Sequence, residues 1–533
     1  MQVLIDNGKA VVKGLYSERE IIKAVGGYEK WDPARKCWVF PLSRLPYICD
    51  YLKVETNQEV ETVLSQLKLD YEKRKLALQT AEKIKKGQYN QPPGGVLMYH
   101  QKQALSLLNL FPTYALFLET GCGKSLVAIK RIEILQVPTL VIAPLSTLES
   151  VWVEEIKKWS NLKAINLWRH CKSKGYEIPK GYDVYLINYE SVKKLGEQIR
   201  NSDIQFCVID ESSKLKDASS QISKFCIEMR DHFKYRLILS GLPSPNSLLE
   251  YFSQLCFINP DLLGSNYFRF RNIYFYASGF GGFQYLCNQE NQVKIMNKVY
   301  EQAFFVKKTD CLDLPDKVYE YRTFEMDKIQ AKAYKDMKKH NVLEFNNKTI
   351  LSANELSKIM KLREVTSGFC ISNEGMPVKI SDSKFKLLLE TLSEISNDKQ
   401  VIIWVNFHYE VKSIKDLLGD EAVTLYGEMP QKEKDLAIQD FKNGKYRFLI
   451  ANPCSGGWGL NLANCSYAVW FSLSYSHEQH SQANDRIYRK GQINKCTYIY
   501  LLAEDSIDEV IYRVLQKKEV MSSVCLEMLK GNN

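Results

Sequence analysis

Gln482-Ala483-Asn484-Asp485-Arg486-Ile487-Tyr488-Arg489-Lys490-Gly491-Gln492 decides how this chain is organised. Alone, Arg486 and Arg489 would be one charged face of a helix. Two segments far upstream change that meaning. Glu119-Thr120-Gly121-Cys122-Gly123-Lys124-Ser125 follows the apolar run 115–118 and precedes a helical stretch over 126–135, the setting a phosphate-binding loop requires. Val208-Ile209-Asp210-Glu211 ends an apolar strand in an acidic pair. A phosphate loop, an acidic pair and a distant arginine pair, in that order, describe a nucleotide site shared by two lobes. Such a site couples hydrolysis to movement of one lobe against the other.

Each residue type in that site has a physical reason to be there. Gly121 and Gly123 let backbone N–H groups approach phosphate oxygens, with Thr120 and Cys122 completing the loop. The following helix N-terminus adds a positive dipole. Lys124 is expected on the β- and γ-phosphates of ATP and Ser125 on Mg2+. A longer form of the loop would have glycine where Leu118 stands, so the match is to the short G-x-G-K-S form. Asp210 is expected to hold Mg2+ with Ser125, and Glu211 to activate the attacking water. Arg489, with Arg486, would reach the γ-phosphate from the second lobe as an arginine finger does. Gln101, in Tyr99-His100-Gln101-Lys102-Gln103, is placed to bond the adenine edge.

Working outward, two series of short apolar strands separated by helical segments surround these motifs. The first comprises 115–118, 139–143, 184–187, 206–209 and 236–239; the second comprises 401–404, 422–425, 448–451, 467–470 and 497–500. Continuous β-rich runs alternating with helices predict parallel sheets covered on both faces. The fold class is therefore α/β, with two parallel-sheet lobes, which the family resemblance of 96–515 makes RecA-like, helical insertions and a small α+β module at the N-terminus. The expected divisions are 1–52 for that module, 53–95 for a helical linker and 96–265 for the first lobe. Residues 266–375 form a helical region between the lobes, 376–515 the second lobe and 516–533 a tail. Asn90-Gln91-Pro92-Pro93-Gly94-Gly95 is the strongest breaker and marks the linker's end.

Composition narrows the class of partner. The chain has 533 residues and a net charge of +10, a mild excess compatible with a polyanion. No apolar run is long enough to span a bilayer, and Met1-Gln2-Val3-Leu4-Ile5-Asp6 lacks the pattern of a signal peptide. The cysteines form no C-x-x-C pair, so a zinc site is not expected. Free thiols suit a reducing compartment, the cytoplasm of a bacterial or phage-infected cell, or the nucleus if the source is eukaryotic.

Over residues 96–515 the series resembles the superfamily-two ATPases of the SWI/SNF-related branch. Beyond the segments above, the matches include Val141-Ile142-Ala143-Pro144 (motif Ia) and Leu239-Ser240-Gly241-Leu242-Pro243 with Asn246 (motif III). Phe305-Val306-Lys307-Lys308-Thr309-Asp310, ahead of Leu314-Pro315-Asp316-Lys317, is similar to that branch's basic stretch. Ser455-Gly456-Gly457-Trp458-Gly459-Leu460-Asn461-Leu462 resembles motif V, and 482–492 the branch signature. The resemblance implies a DNA-dependent ATPase using ATP and Mg2+, with Gly459 near the nucleotide. It makes Lys307, Lys308, Pro144 and Ser455 candidate DNA contacts. The chain departs from the pattern at Ser213, where many relatives carry His, at Leu242, where Thr is common, and at Trp458, where a small or polar residue is usual. The first puts in question the coupling of motif II, Asp210-Glu211-Ser212-Ser213, to motif VI, the 482–492 signature. None of the three removes a group needed for hydrolysis.

Residues 30–42, Lys30-Trp31-Asp32-Pro33-Ala34-Arg35-Lys36-Cys37-Trp38-Val39-Phe40-Pro41-Leu42, resemble the core of a HARP-type module. In that family the module precedes the motor and helps it recognise branched DNA and reanneal strands. Rings at this spacing also suit a mini-core. The expectation is a monomeric, ATP-driven translocase on double-stranded or branched DNA, without a membrane partner, in replication, recombination or repair. The alternatives are a strand-separating helicase and a non-catalytic, structure-specific DNA-binding scaffold. Intact Lys124, Asp210, Glu211 and Arg489 argue against the scaffold.

Overall fold

The computed structural model describes the chain apart from residues 7–8, 15–17, 19–20, 23–29, 42–44, 55, 69–71, 73–96, 279–283, 346–347, 353–354, 454–461 and 528–533. Four antiparallel strands open it: β1 (Gln2–Asp6), β2 (Lys9–Lys13), β3 (Lys30–Asp32) and β4 (Cys37–Pro41). They pair in the order β1-β2-β4-β3. Asp32 begins the turn to β4, accepting from the N–H groups of Ala34 and Arg35 at 3.1 Å each. Trp38 and Phe40 face inward with Val3, Ala10, Val12 and Ile48. Those two rings build the module's core and present no stacking surface. The linker is helical over 58–68; the breaker 90–95 lies outside the described residues.

The first lobe contains β5 (Thr113–Leu118), β6 (Thr139–Ala143), β7 (Ala164–Asn166), β8 (Val184–Asn188), β9 (Phe206–Asp210) and β10 (Tyr235–Ser240). After a hairpin of β11 (Tyr276–Ser278) and β12 (Gln284–Leu286) comes β13 (Ala303–Val306). The sheet runs β13-β5-β10-β9-β6-β8-β7 and is parallel throughout. Every residue of β5, β6, β8 and β9 is buried, because helices cover both faces. Burying each Val, Leu, Ile or Phe side chain contributes about 1.5–3 kcal/mol, and this is why the strands read as unbroken apolar runs.

The second lobe begins with β14 (Lys317–Phe324). Two hairpins follow: β15 (Val342–Phe345) with β16 (Lys348–Leu351), and β17 (Phe369–Ile371) with β18 (Pro377–Lys379). The remaining strands are β19 (Val401–Trp404), β20 (Ala422–Leu425), β21 (Phe448–Ala451), β22 (Tyr467–Trp470) and β23 (Cys496–Ala503). Their sheet order is β14-β23-β22-β19-β21-β20, again parallel.

Residues 266–375, expected as a helical region, do hold helices, among them Gln289–Glu301, Lys328–His340 and Glu355–Thr366, but also contribute a strand to each sheet: β13 extends the first and β14 edges the second. The chain passes between lobes over 307–316 alone. Edge position explains why β14 escapes a search for apolar runs, since its residues alternate between exposed and half-buried. The helix Ile507–Glu527 likewise runs through the expected boundary at 515.

Candidate nucleotide site

Three sequence motifs meet at the C-terminal edge of the first sheet. β5 and β9 flank β10, so the phosphate loop after Leu118 and the acidic pair at Asp210 stand on either side of Gly241. In parallel sheets ligands bind at this edge. Gly121 and Gly123 have φ of 94° and 79°, a region that favours glycine. At Gly123 a Cβ would also lie 2.1 Å from Gln101 Nε2. Lys124 opens the helix Lys124–Leu135, with Ser125 behind it. The Lys124 ammonium is nearly buried and donates to Leu118 O at 2.7 Å, which holds it over the loop. A Cβ at Gly241 would approach Thr120 Oγ1 to 2.8 Å and Lys124 Nζ to 3.4 Å, so the motif III glycine leaves the loop room.

Gln101 does different work from that expected. Its Oε1 accepts from Met98 N at 2.8 Å and its Nε2 donates to Cys122 O at 3.1 Å. His100 Nε2 lies 2.8 Å from the same carbonyl. Both side chains sit on the helix Tyr99–Leu110 and brace the phosphate loop from beneath; the amide that was expected on adenine is directed into the loop. Cys122 Sγ packs 3.6 Å from Cys311 Sγ.

Asp210 is buried and accepts from Trp152 Nε1 at 2.9 Å. Tyr189 donates its hydroxyl to Asp210 O. Burial raises the Asp210 carboxyl above its ordinary range, opposed by the Trp152 hydrogen bond and the Lys124 charge. Glu211 has a left-handed backbone, φ 55°, uncommon for a residue with a side chain and associated with functional sites. Its carboxyl is pushed up to about 7, chiefly by burial; Asp210 and Glu478 add to this, and Lys124 and Arg486 oppose it. The donor types suit a divalent cation: Asp210 is a buried carboxylate at the end of β9, and Ser125 carries a hydroxyl in the first turn of the helix Lys124–Leu135.

The second lobe closes the site. Residues 482–492 do not form one helix. The helix His477–Asn484 stops at Asn484, whose carbonyl accepts from Tyr498 Oη at 2.9 Å and whose side chain accepts from Trp470 Nε1 at 3.0 Å. Beyond Asn484 the ladder tightens, with Arg486 N donating to Ala483 O at 3.1 Å, and residues 485–489 run in turns toward the first lobe. A Cβ on Gly121 would stand 3.8 Å from Arg489 Nε, which places that arginine against the phosphate loop. Arg486 is buried, within electrostatic reach of Glu211, and lowered to about 10 by burial and then by the Arg489 charge. Arg489 is lowered chiefly by burial.

Lys308 also departs from expectation. It is 1% exposed and cannot contact DNA phosphates. Its Nζ pairs with Asp485 Oδ1 at 2.5 Å and donates to Tyr488 O at 3.0 Å, while its backbone N–H donates to Glu119 Oε2 at 2.9 Å. One residue thus ties the start of the phosphate loop to the arginine segment. Burial lowers its ammonium, opposed by Asp485. Pro144 is buried too, its carbonyl taken by Thr147; Leu145 and Ser146 are the exposed residues beside it. Lys307 is half-buried at the entry to the interlobe segment. Ser455 and Gly459, with the rest of the expected motif V up to Asn461, lie outside the described residues.

The SNF2-related domain family matches residues 29–368, and the helicase conserved C-terminal domain family matches 383–491. The chain belongs to the SNF2-related family. The first match spans the whole first sheet and runs past β14, and the second falls within the second lobe. Nuclear protein STH1/NPS1 of Saccharomyces cerevisiae is 26% identical over 89% of this chain and 38% of its own length. The chain therefore spans well under half of that relative. Putative protein p41 of Acyrthosiphon pisum secondary endosymbiont phage 1 is 24% identical over 77% of this chain and 93% of its own length. Among solved structures, the Sulfolobus solfataricus SWI2/SNF2 ATPase core in complex with dsDNA is 22% identical, covers 80% of this chain and 93% of its own, and superposes with a TM-score of 0.39.

Trp152, Tyr189, Gln254 and Glu478 escape sequence reading. The indole, the phenol and the amide are ordinary core residues until the fold sets them against motif II. Asp485 was legible, since it lies inside the arginine signature.

Proposed function

We propose that this SNF2-related protein is an ATP-driven translocase on double-stranded DNA. The observation that carries the reading is the delivery of Arg486 and Arg489 by the second lobe to the phosphate loop and Glu211 of the first. ATP bound at Lys124 and Ser125, with Mg2+ on Asp210, supplies a γ-phosphoryl group in this cleft. Glu211 accepts a proton from the attacking water, and the arginines stabilise charge on the transferring group. Hydrolysis and release loosen what holds the lobes together. That alternation moves the pair along a backbone through contacts to phosphates, which carry no sequence information. Lys307 and the exposed residues beside Pro144 are the proposed contacts in the first lobe, and Ser455 in the second. The N-terminal sheet, similar to a HARP module in its 30–42 stretch, directs the motor to branched DNA for remodelling or reannealing.

ATP hydrolysis measured with duplex, single-stranded and forked DNA side by side tests this. Stimulation by duplex, greatest with forks, is expected. Hydrolysis indifferent to DNA, or stimulated by single strands alone, would refute it.

A further inference from the structure

Glu478 stands in the first turn of the helix His477–Asn484, whose N-terminus Ser476 caps. Its two oxygens leave the second lobe and engage motif II of the first. Oε1 accepts from Ser213 Oγ at 3.2 Å, and Oε2 pairs with Lys216 Nζ at 3.0 Å. Ser213 is the position at which the chain departs from the His of many relatives. A Ser hydroxyl is short and reaches a partner only when that partner comes to it; Glu478 does so. The contact continues inward. Ser212 Oγ donates to Gln254 Oε1 at 2.7 Å, and Gln254 Nε2 donates to Pro243 O at 2.7 Å. A chain of hydrogen-bonded residues therefore runs from the second lobe, past the backbone that carries Glu211, to the motif III loop beside Lys124.

The charge arrangement points the same way. Glu478 is a carboxylate within electrostatic reach of Glu211, an unfavourable placement that Lys216 compensates. Resting on the ATPase reading above, we infer that Glu478 is a positioning residue: through Ser213 and Lys216 it transmits lobe closure to the segment that holds Glu211. It touches neither nucleotide nor metal, and its effect is on turnover.

The test is a double-mutant cycle of Lys216→Ala and Glu478→Ala, with the charge swap Lys216→Glu plus Glu478→Lys, on the full chain at saturating duplex. Lys216 and Glu478 side chains are 36% and 16% exposed, so the coupling is modest: about a tenfold fall in kcat for Glu478→Ala, with KM for ATP nearly unchanged. The double variant should be no slower than Glu478→Ala, and the swap should recover much of the lost rate. Additive losses, parental kcat in Glu478→Ala, or a loss confined to KM would overturn the inference. A parent that shows no DNA-stimulated hydrolysis would refute the ATPase reading instead. The contact is then read by small-angle scattering, where Glu478→Ala should enlarge the radius of gyration and the swap restore it; an unchanged radius overturns the inference by itself.

Discussion

Replacing Lys308 with Met keeps the aliphatic stem and removes the ammonium that joins the lobes. Asp485 Oδ1 and Tyr488 O then lose a donor that stands 2.5 and 3.0 Å away. Removing one partner of a buried pair costs about 3–5 kcal/mol, because the other charge is left unpaired. Asp485 is 16% exposed, can recruit water and stays within electrostatic reach of Arg486 and Arg489, so the lower end, about 3 kcal/mol, is the better figure. Each 1.36 kcal/mol is a factor of ten, which makes the shift about 150-fold toward open lobes. The lobes have separate cores, so the loss should fall on their association and leave each lobe folded. Duplex-stimulated kcat should drop by one to two orders of magnitude, roughly as the closed population does. Taking one cation away from a DNA phosphate would reduce the slope of log K against log salt by about 0.9; no such change is expected here, because Lys308 is buried. Parental turnover in Lys308→Met, or a reduced salt slope, would refute the reasoning.

Lys124→Ala should abolish hydrolysis while leaving duplex binding largely intact, since the ammonium faces the phosphate loop; filter binding and phosphate release measured together check both. Glu211→Gln should retain ATP and Mg2+ yet turn over very slowly, because an amide cannot take the proton of the attacking water. Single-turnover hydrolysis at the parental rate would assign the base to another carboxylate. Trp152→Phe keeps the buried ring but removes the donor on Asp210 Oδ2, a loss worth about 1–3 kcal/mol where the acceptor is buried. The Mg2+ concentration for half-maximal activity should rise several-fold, and an unchanged Mg2+ titration would reduce the indole to packing.

Strands buried on both faces announced themselves in the sequence. Ala115–Leu118, Val184–Ile187 and Val401–Trp404 are unbroken apolar runs because helices cover them. The phosphate loop and acidic pair were legible for a similar reason: each is a short local motif at a strand end, and its chemistry needs fixed residue types. What failed to show depends on distant neighbours. β14 pairs with β23 across the length of the second lobe, and its alternating pattern resembles a surface strand. Lys308 looked like a basic surface residue, because nothing near it in sequence reveals that Asp485 will face it. Gln101 looked free for adenine until the loop carbonyl of Cys122 came within reach. Arg486 and Arg489 were placed on a helix, which stops short of them at Asn484.

The central claim is that the second lobe's arginines act in the closed transition state, and Arg489→Ala tests it most directly. Steady-state kinetics at saturating duplex should be paired with a separate measurement of nucleotide binding. Arginine fingers contribute roughly 10³–10⁵ in rate, and Arg486 lies close enough to substitute in part, so the expected fall in kcat is at or below the lower end. ATP affinity should change little. Normal turnover at saturation with weakened ATP binding would show that Arg489 holds the ground state, and would contradict closure of the two lobes as the catalytic event.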